Sequence, residues 1–395
     1  MKKILILIFL GLFLRVLLMM FIIHPDIRGH NLAAYLISQK GEVFSFYDYI
    51  AKLPRNNHWA EMYHDGLFIY PPLAYLTLAA PMWVFGSVYP WPAFLTLVNE
   101  TGLLKLDPAW PWLMFLLKLP LLIIETAGFI WLYKKINSQK RILFTILWSF
   151  NIVILFSAYM MGQFDLVIGI LIAISAVLST QRPSFLSAIL LGIAAGFKPF
   201  PLFLLPFLGA NISQKIKYVL IGLFTYGLII APYLGSSGFR RFALVASQSD
   251  KLTYAKILLS GSQYLSLFWV GFAILLWFNY RKFKLFPVWG WFVSVLLLFY
   301  SVTHWHPQWF AWISILLLWA WVHKKSARFP IAMLMVCFFV ILMLFEPSLN
   351  FGMFNINFDL FAWINLHFPA DELVSMVRAV FLATSLVTVL SLKET

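Results

Sequence analysis

Runs of nearly unbroken apolar residues, divided by short polar breaks, repeat along the whole chain. They lie at about 4–23, 72–89, 111–133, 141–160, 164–180, 184–197, 200–210, 216–234, 258–280, 285–303, 307–322, 329–346 and 373–391. The longer runs can each cross about 30 Å of hydrocarbon as a helix. Backbone amides in lipid have no water to bond, and a helix satisfies them within the segment. The pattern predicts an all-α, polytopic transmembrane helix bundle of about 11–13 spans. One polar interval is long. Residues 24–70 form a first extracytoplasmic loop, in which "HNLAAYLISQKG" predicts a short helix ending at Gly41. Segments 184–197 and 200–210 are short for full spans, so they are expected to form a hairpin bent at "FKPFP" and lining a cavity. The crossing count between residues 71 and 133 stays open: either 72–99 is two short segments or one segment re-enters.

Composition narrows the class. Of 395 residues, 62% are apolar and 11% charged, and mean hydropathy is +0.86, which leaves too little polar surface for a large soluble domain. The net charge of +14 does not point to nucleic acid, because Lys and Arg cluster between apolar runs. "KKINSQKR" (134–141), "QR" (181–182), "QKIK" (214–217), "YRKFK" (280–284) and "HKKSAR" (323–328) are therefore expected on the cytoplasmic side. The basic, apolar start resembles a signal peptide, but Arg15 interrupts its core and no small-x-small site follows, so it is expected to be an uncleaved span. Cys337 is the single cysteine, which rules out an internal disulfide framework. Two regions are expected: residues 1–320, including the 24–70 loop, and C-terminal helices over 321–395.

With that topology the unusual polar residues gather on the extracytoplasmic side, and each has a plain reading beside a chemical one. Asp26, in "FIIHPDIRGH", is placed at the end of the first span; it either marks the interface or acts as a partly desolvated general base. "HDGLFIYPPLAY" holds Asp65 and Tyr70, and its two prolines stiffen a span start. "MGQFD" sets Gln163 and Asp165 between two spans, either as a tight polar turn or facing an aqueous cavity. Lys198 in "GFKPFP" can snorkel, meet a carboxylate such as Asp165, or meet a phosphate. His304 and His306 in "THWHPQW" lie two apart, and no Cys or carboxylate stands near them, which does not suit a metal site. They, and Arg240 with Arg241, suit an anionic group better. No Walker, G-x-S-x-G or other cofactor motif is present, so a phosphorylated substrate is expected to arrive as a lipid phosphate.

The order of these features resembles the GT-C superfamily of integral membrane glycosyltransferases, which use polyprenyl-phosphate sugars. The similarity covers about residues 1–320 and is nearest to the dolichyl-phosphate-glucose glucosyltransferases and the GPI-type mannosyltransferases. The matching features are Asp26 after the first span, "DGLFIYPPL", "LKLPLLIIETAG" with Lys118 and Glu125, "GQFDLVIG", "FKPFPLFLLPF" and "THWHPQ". The resemblance implies Asp26 as catalytic base, with Lys198, His306, His304 and Arg240 toward the donor phosphate. It implies His30, Asp65, Tyr70, Gln163, Asp165 and Gln308 toward substrate, with no metal or other cofactor. The implied reaction moves mannose or glucose, with inversion, from a polyprenyl-phosphate donor to a glycolipid or lipid-linked glycan on the outer side of a plasma membrane. Two other readings are weighed against it. A flippase for a lipid-linked sugar predicts polar residues on both membrane faces and an internal repeat. A membrane acyltransferase, with His306 as base, predicts its polar pair facing the cytoplasm.

Overall fold

The computed structural model describes every residue except 1, 181–183, 246–250 and 394–395, so the expected cytoplasmic pair "QR" (181–182) lies outside the described residues. The chain is a helical membrane protein. Six helical stretches are long and apolar enough to cross a membrane: Lys2–Phe21, Trp110–Lys135, Ser138–Met160, Ile212–Tyr233, Lys325–Met343 and Ala370–Ser391. Shorter apolar helices fill the space between them, among them Asp165–Leu178, Phe185–Ala195, Leu267–Arg281 and Val288–Val302. The sequence predicted about 11–13 spans; among the described residues six helical stretches have spanning length and the other apolar helices are shorter.

We label the elements used below. Helix α1 is Lys2–Phe21, α2 is Asp26–Gln39, α3 is Leu73–Val84, α4 is Trp91–Asn99 and α5 is Trp110–Lys135. Helix α6 is Arg141–Ser149, α7 is Asp165–Leu178, α8 is Phe185–Ala195 and α9 is Ile212–Ile230. A π-helical turn, Leu155–Met160, lies between α6 and α7, and a 3-10 segment, Phe200–Phe207, lies between α8 and α9.

The segment left open in the sequence, 72–133, holds two short helices and one long one. At 1.5 Å per residue, neither the 12 residues of α3 nor the 9 of α4 reach across the hydrocarbon. Helix α5, with 26 residues, is long and apolar enough to cross. Helix α3 instead packs along α2. The expected hairpin at "FKPFP" is present: α8 and the 3-10 segment lie against each other and both lie against α9.

Two expectations need correction. The bundle is not entirely α: Lys256–Ser260 and Gln263–Ser266 form an antiparallel hairpin before the helix Leu267–Arg281, where an apolar run from 258 had been expected to be one segment. Gly261 at φ +54 supplies the turn, and the strands are almost wholly exposed. Asp26 does not end the first span, because α1 stops at Phe21 and Asp26 opens α2. Pro25, at φ −56, is pre-set for a helix start and donates no amide there, so the break falls at His24–Pro25.

The helices of 321–395 share the core of 1–320. Phe310 and Phe338 stack at 4.9 Å, and Trp305 lies 6.1 Å from Phe381. Close helix contact elsewhere depends on small residues. A Cβ on Gly169 of α7 would stand 2.3 Å from the Ala311 carbonyl oxygen, which only glycine avoids.

Candidate functional site

The site begins where three chain breaks meet. After α1, His24 and Pro25 turn the chain, and the Asp26 amide donates to His24 Nδ1 at 3.3 Å. Asp26 is the first residue of α2, so its carboxylate sits at the amino end of that helix. It is 41% exposed and accepts from Gln163 Nε2 at 2.7 Å. Gln163 is buried and is placed by the second break, where the π-helical turn ends and Gly162, at φ +74, reverses the chain.

The third break places Lys198. Between α8 and the 3-10 segment, its ammonium reaches Asp165 Oδ1 at 2.6 Å, and Trp312 Nε1 donates to the same oxygen at 2.6 Å. The rings of Tyr70, Phe164, Trp309 and Trp312 stand 4.9–5.5 Å from Lys198 Nζ. A buried cation beside four aromatic faces and one carboxylate is well satisfied electrostatically. Tyr70 is fixed from both sides of its backbone. Its carbonyl accepts from Tyr47 Oη at 2.5 Å, and its amide donates to Tyr75 Oη at 3.2 Å. The Leu73 amide, just past Pro71 and Pro72, donates to the Gly196 carbonyl at 3.0 Å, joining this segment to the lysine break.

Three cavities meet along Ile69 and Tyr70. One, of about 110 Å³, is mainly aromatic and aliphatic, has Lys198 in its wall, and extends between Phe200, Phe203 and Leu252. The second, of about 230 Å³, is lined by His24, Asp26, His306, Gln308, Trp309 and Glu346. The third is an open basin of about 990 Å³ that includes Asp26, Arg28, His30, Tyr63, His64 and Asp65. Asp26 is therefore shared by the second and third. Several buried polar atoms around these spaces have no hydrogen-bond partner among the described residues: His24 Nε2, His30 Nδ1, Gln163 Oε1, Asp165 Oδ2, Gln308 Oε1 and Trp309 Nε1. Buried polar groups are normally paired, so a cluster of unpaired ones marks a place for a polar ligand or water.

The other residues singled out in the sequence fall inside and outside this group. His30 is buried against the rings of Tyr70, Tyr75 and Phe164. His304 stacks between Tyr254, Phe345 and His306 without lining any of the three cavities. Arg240 is not brought to the group: its Nη1 donates to the Leu234 and Gly235 carbonyls at 2.6 and 3.0 Å and closes its own loop. Asp165 is held by Lys198 and Trp312, away from the open space that Asp26 faces. Sequence reasoning passed over Lys251, whose ammonium stands 4.5 Å from the Trp309 ring, and Glu346. Neither belongs to a motif. The signal that could have found them is an ionisable residue in a loop on the same side as Asp26.

Burial favours the neutral form of His30, His304 and His306. Burial, followed by the charges of Lys251, His304 and Lys198, pushes His306 down to about 4 from an ordinary value near 6.5, with Asp26 opposing. Burial also lowers His30. Burial and nearby Lys198 lower Lys251 to about 8. In the unfolded chain the His306 ring protonates below its ordinary value, while in the folded protein it resists until about pH 4. Stability from keeping it neutral is complete above the ordinary value and drains away as pH falls toward 4. Unfolding midpoints measured across that window should fall, and should fall less steeply in His306→Gln. An unchanged slope in that variant would show that His306 is not the titrating group.

Compared with family models, curated proteins and solved structures, the chain matches none.

Proposed function

We propose that the protein is a membrane glycosyltransferase that moves a hexose from a polyprenyl-phosphate donor to an acceptor hydroxyl on the extracytoplasmic side. The observation that carries this reading is the position of Asp26: a half-exposed carboxylate on the wall shared by two polar cavities, both of which adjoin an apolar cavity with a buried cation. An apolar groove suits an isoprenoid chain, and a cation beside it suits the phosphate at the chain's head. The open basin suits a polar acceptor.

In this reading Asp26 takes the proton from the acceptor hydroxyl. The freed oxygen bonds to the anomeric carbon, and the bond from that carbon to the phosphate oxygen breaks on the opposite face. The electron pair leaves with the polyprenyl phosphate, and the sugar inverts. Negative charge grows on that phosphate, so Lys198 and Lys251 stabilise the transition state, while neutral His306 donates an N–H. Gln163 holds the Asp26 carboxylate in line.

The test is transfer of label by the protein in lipid vesicles. Polyprenyl-phosphate-mannose and polyprenyl-phosphate-glucose, each labelled in the sugar, are supplied with a membrane-lipid extract as acceptor pool. Label appearing in a new glycolipid from one donor is the expected result and names the sugar. Donor binding with no transfer from either, and movement of the intact donor between leaflets, would replace this reading with a transporter.

A further inference from the structure

Lys118 lies in the first half of α5 and is fully buried. No carboxylate pairs with it among the described residues. Its ammonium instead donates to backbone carbonyls of two other elements. On α1 and the residue that follows it, the ammonium reaches Met19 O at 3.4 Å and Ile22 O at 2.7 Å. On the π-helical turn it reaches Tyr159 O at 2.8 Å and Met160 O at 3.5 Å. These carbonyls close helical segments. Carbonyls at such ends run out of partners along their own segments, and they carry the negative ends of the helix dipoles. One ammonium therefore satisfies two helix ends that would otherwise be buried with free acceptors.

Those two ends lead directly into the site. Four residues after Ile22 comes Asp26, and three after Met160 comes Gln163. The turn between Met160 and Gln163 rests on the same lysine. A Cβ on Gly162 would stand 3.5 Å from Lys118 Cε and 3.0 Å from Cδ1 of Ile27, the residue after Asp26. We infer that Lys118 is a positioning residue: by clamping the end of α1 to the end of the π-helical turn, it sets the Asp26–Gln163 hydrogen bond. Its catalytic meaning rests on the glycosyl-transfer reading, but the clamp itself is a statement about geometry.

The experiment uses the full chain in lipid, with Lys118→Met and Lys118→Arg beside the wild type. Methionine keeps most of the stem and removes the three donors; arginine keeps charge and donors. Two quantities are read: the Asp26–Gln163 separation in a cryo-EM structure of each protein, and kcat and donor KM for transfer. Lys118→Met should open the contact from 2.7 Å to beyond about 3.5 Å. It should lower kcat ~10–100-fold, the scale of a misplacement near 1 Å, with donor KM changed less than about threefold. Lys118→Arg should recover most of the rate. A contact that stays closed in Lys118→Met overturns the inference, whatever the rate does. If Lys118→Met does not fold, Lys118→Gln shortens the stem and removes the charge and one of the three donors, and an Asp26–Gln163 contact that stays closed in that variant overturns it equally. A contact that opens in a protein whose wild type transfers neither sugar supports the clamp and overturns the glycosyltransferase reading instead.

Discussion

Asp26→Asn is expected to lower sugar transfer by about 10²–10⁴-fold, the range for loss of a positioned general base, while the protein assembles normally in lipid. The substitution keeps shape and removes basicity. The amide that replaces the carboxylate retains an oxygen that can accept from Gln163 Nε2, so the 2.7 Å contact survives. The side chain is 41% exposed and faces open space, so little buried charge is disturbed. Vesicle transfer assays of wild type and variant, with thermal unfolding run in parallel, separate the two effects. Donor KM should change little, because the proposed donor contacts are those of Lys198 and the apolar cavity. Full activity in Asp26→Asn removes the general-base mechanism.

Glu125→Leu is expected to destabilise the protein by about 3–5 kcal/mol, because it leaves a buried cation without its partner. Glu125 accepts from Arg15 Nη2 at 2.6 Å and Arg15 Nε at 2.8 Å, with both side chains no more than 3% exposed. Trp148 Nε1 donates to the same carboxylate at 2.7 Å, and the Tyr159 hydroxyl also donates to it. Arg15 also donates to the Gly11, Trp148 and Ser149 carbonyls, so the network ties α1, α5 and α6 together. Without the carboxylate, the guanidinium remains among helices with only neutral partners. Reversible unfolding in bicelles measures the loss. The double substitution Arg15→Met/Glu125→Leu should recover part of it, since an apolar pair needs no counter-charge. A loss below about 1 kcal/mol in Glu125→Leu would mean that water or lipid headgroups reach Arg15. Because Tyr159 belongs to the turn that carries Gln163, transfer should also weaken in Glu125→Leu.

Much of the membrane architecture was legible along the chain. Spans are a local property: length and apolar content of one segment meet the hydrocarbon thickness without reference to other segments. The bend at "FKPFP" was legible for the same reason, since proline removes a donor wherever it sits. The Lys198–Asp165 pair could be named as an option because each residue is costly in an apolar setting and needs a partner. Other features had no local signal. The hairpin at 256–266 overlaps a run that reads as apolar, and the turn at Gly261 between its two strands is its one backbone signal. Arg240 looked equivalent to other loop cations until its own carbonyls took it up.

Hydropathy and helix-breaking residues were enough to specify a helical membrane protein with several of its rare polar residues at chain breaks. Both depend on a residue and its near neighbours. Which breaks come together was decided by packing between segments far apart in the chain. Asp26 and Gln163 are 137 positions apart, and Lys118 bonds carbonyls 96 and 41 positions away. Such contacts arise because unpaired donors and acceptors in a low-dielectric interior must find each other, and the set of partners depends on how all the helices pack at once.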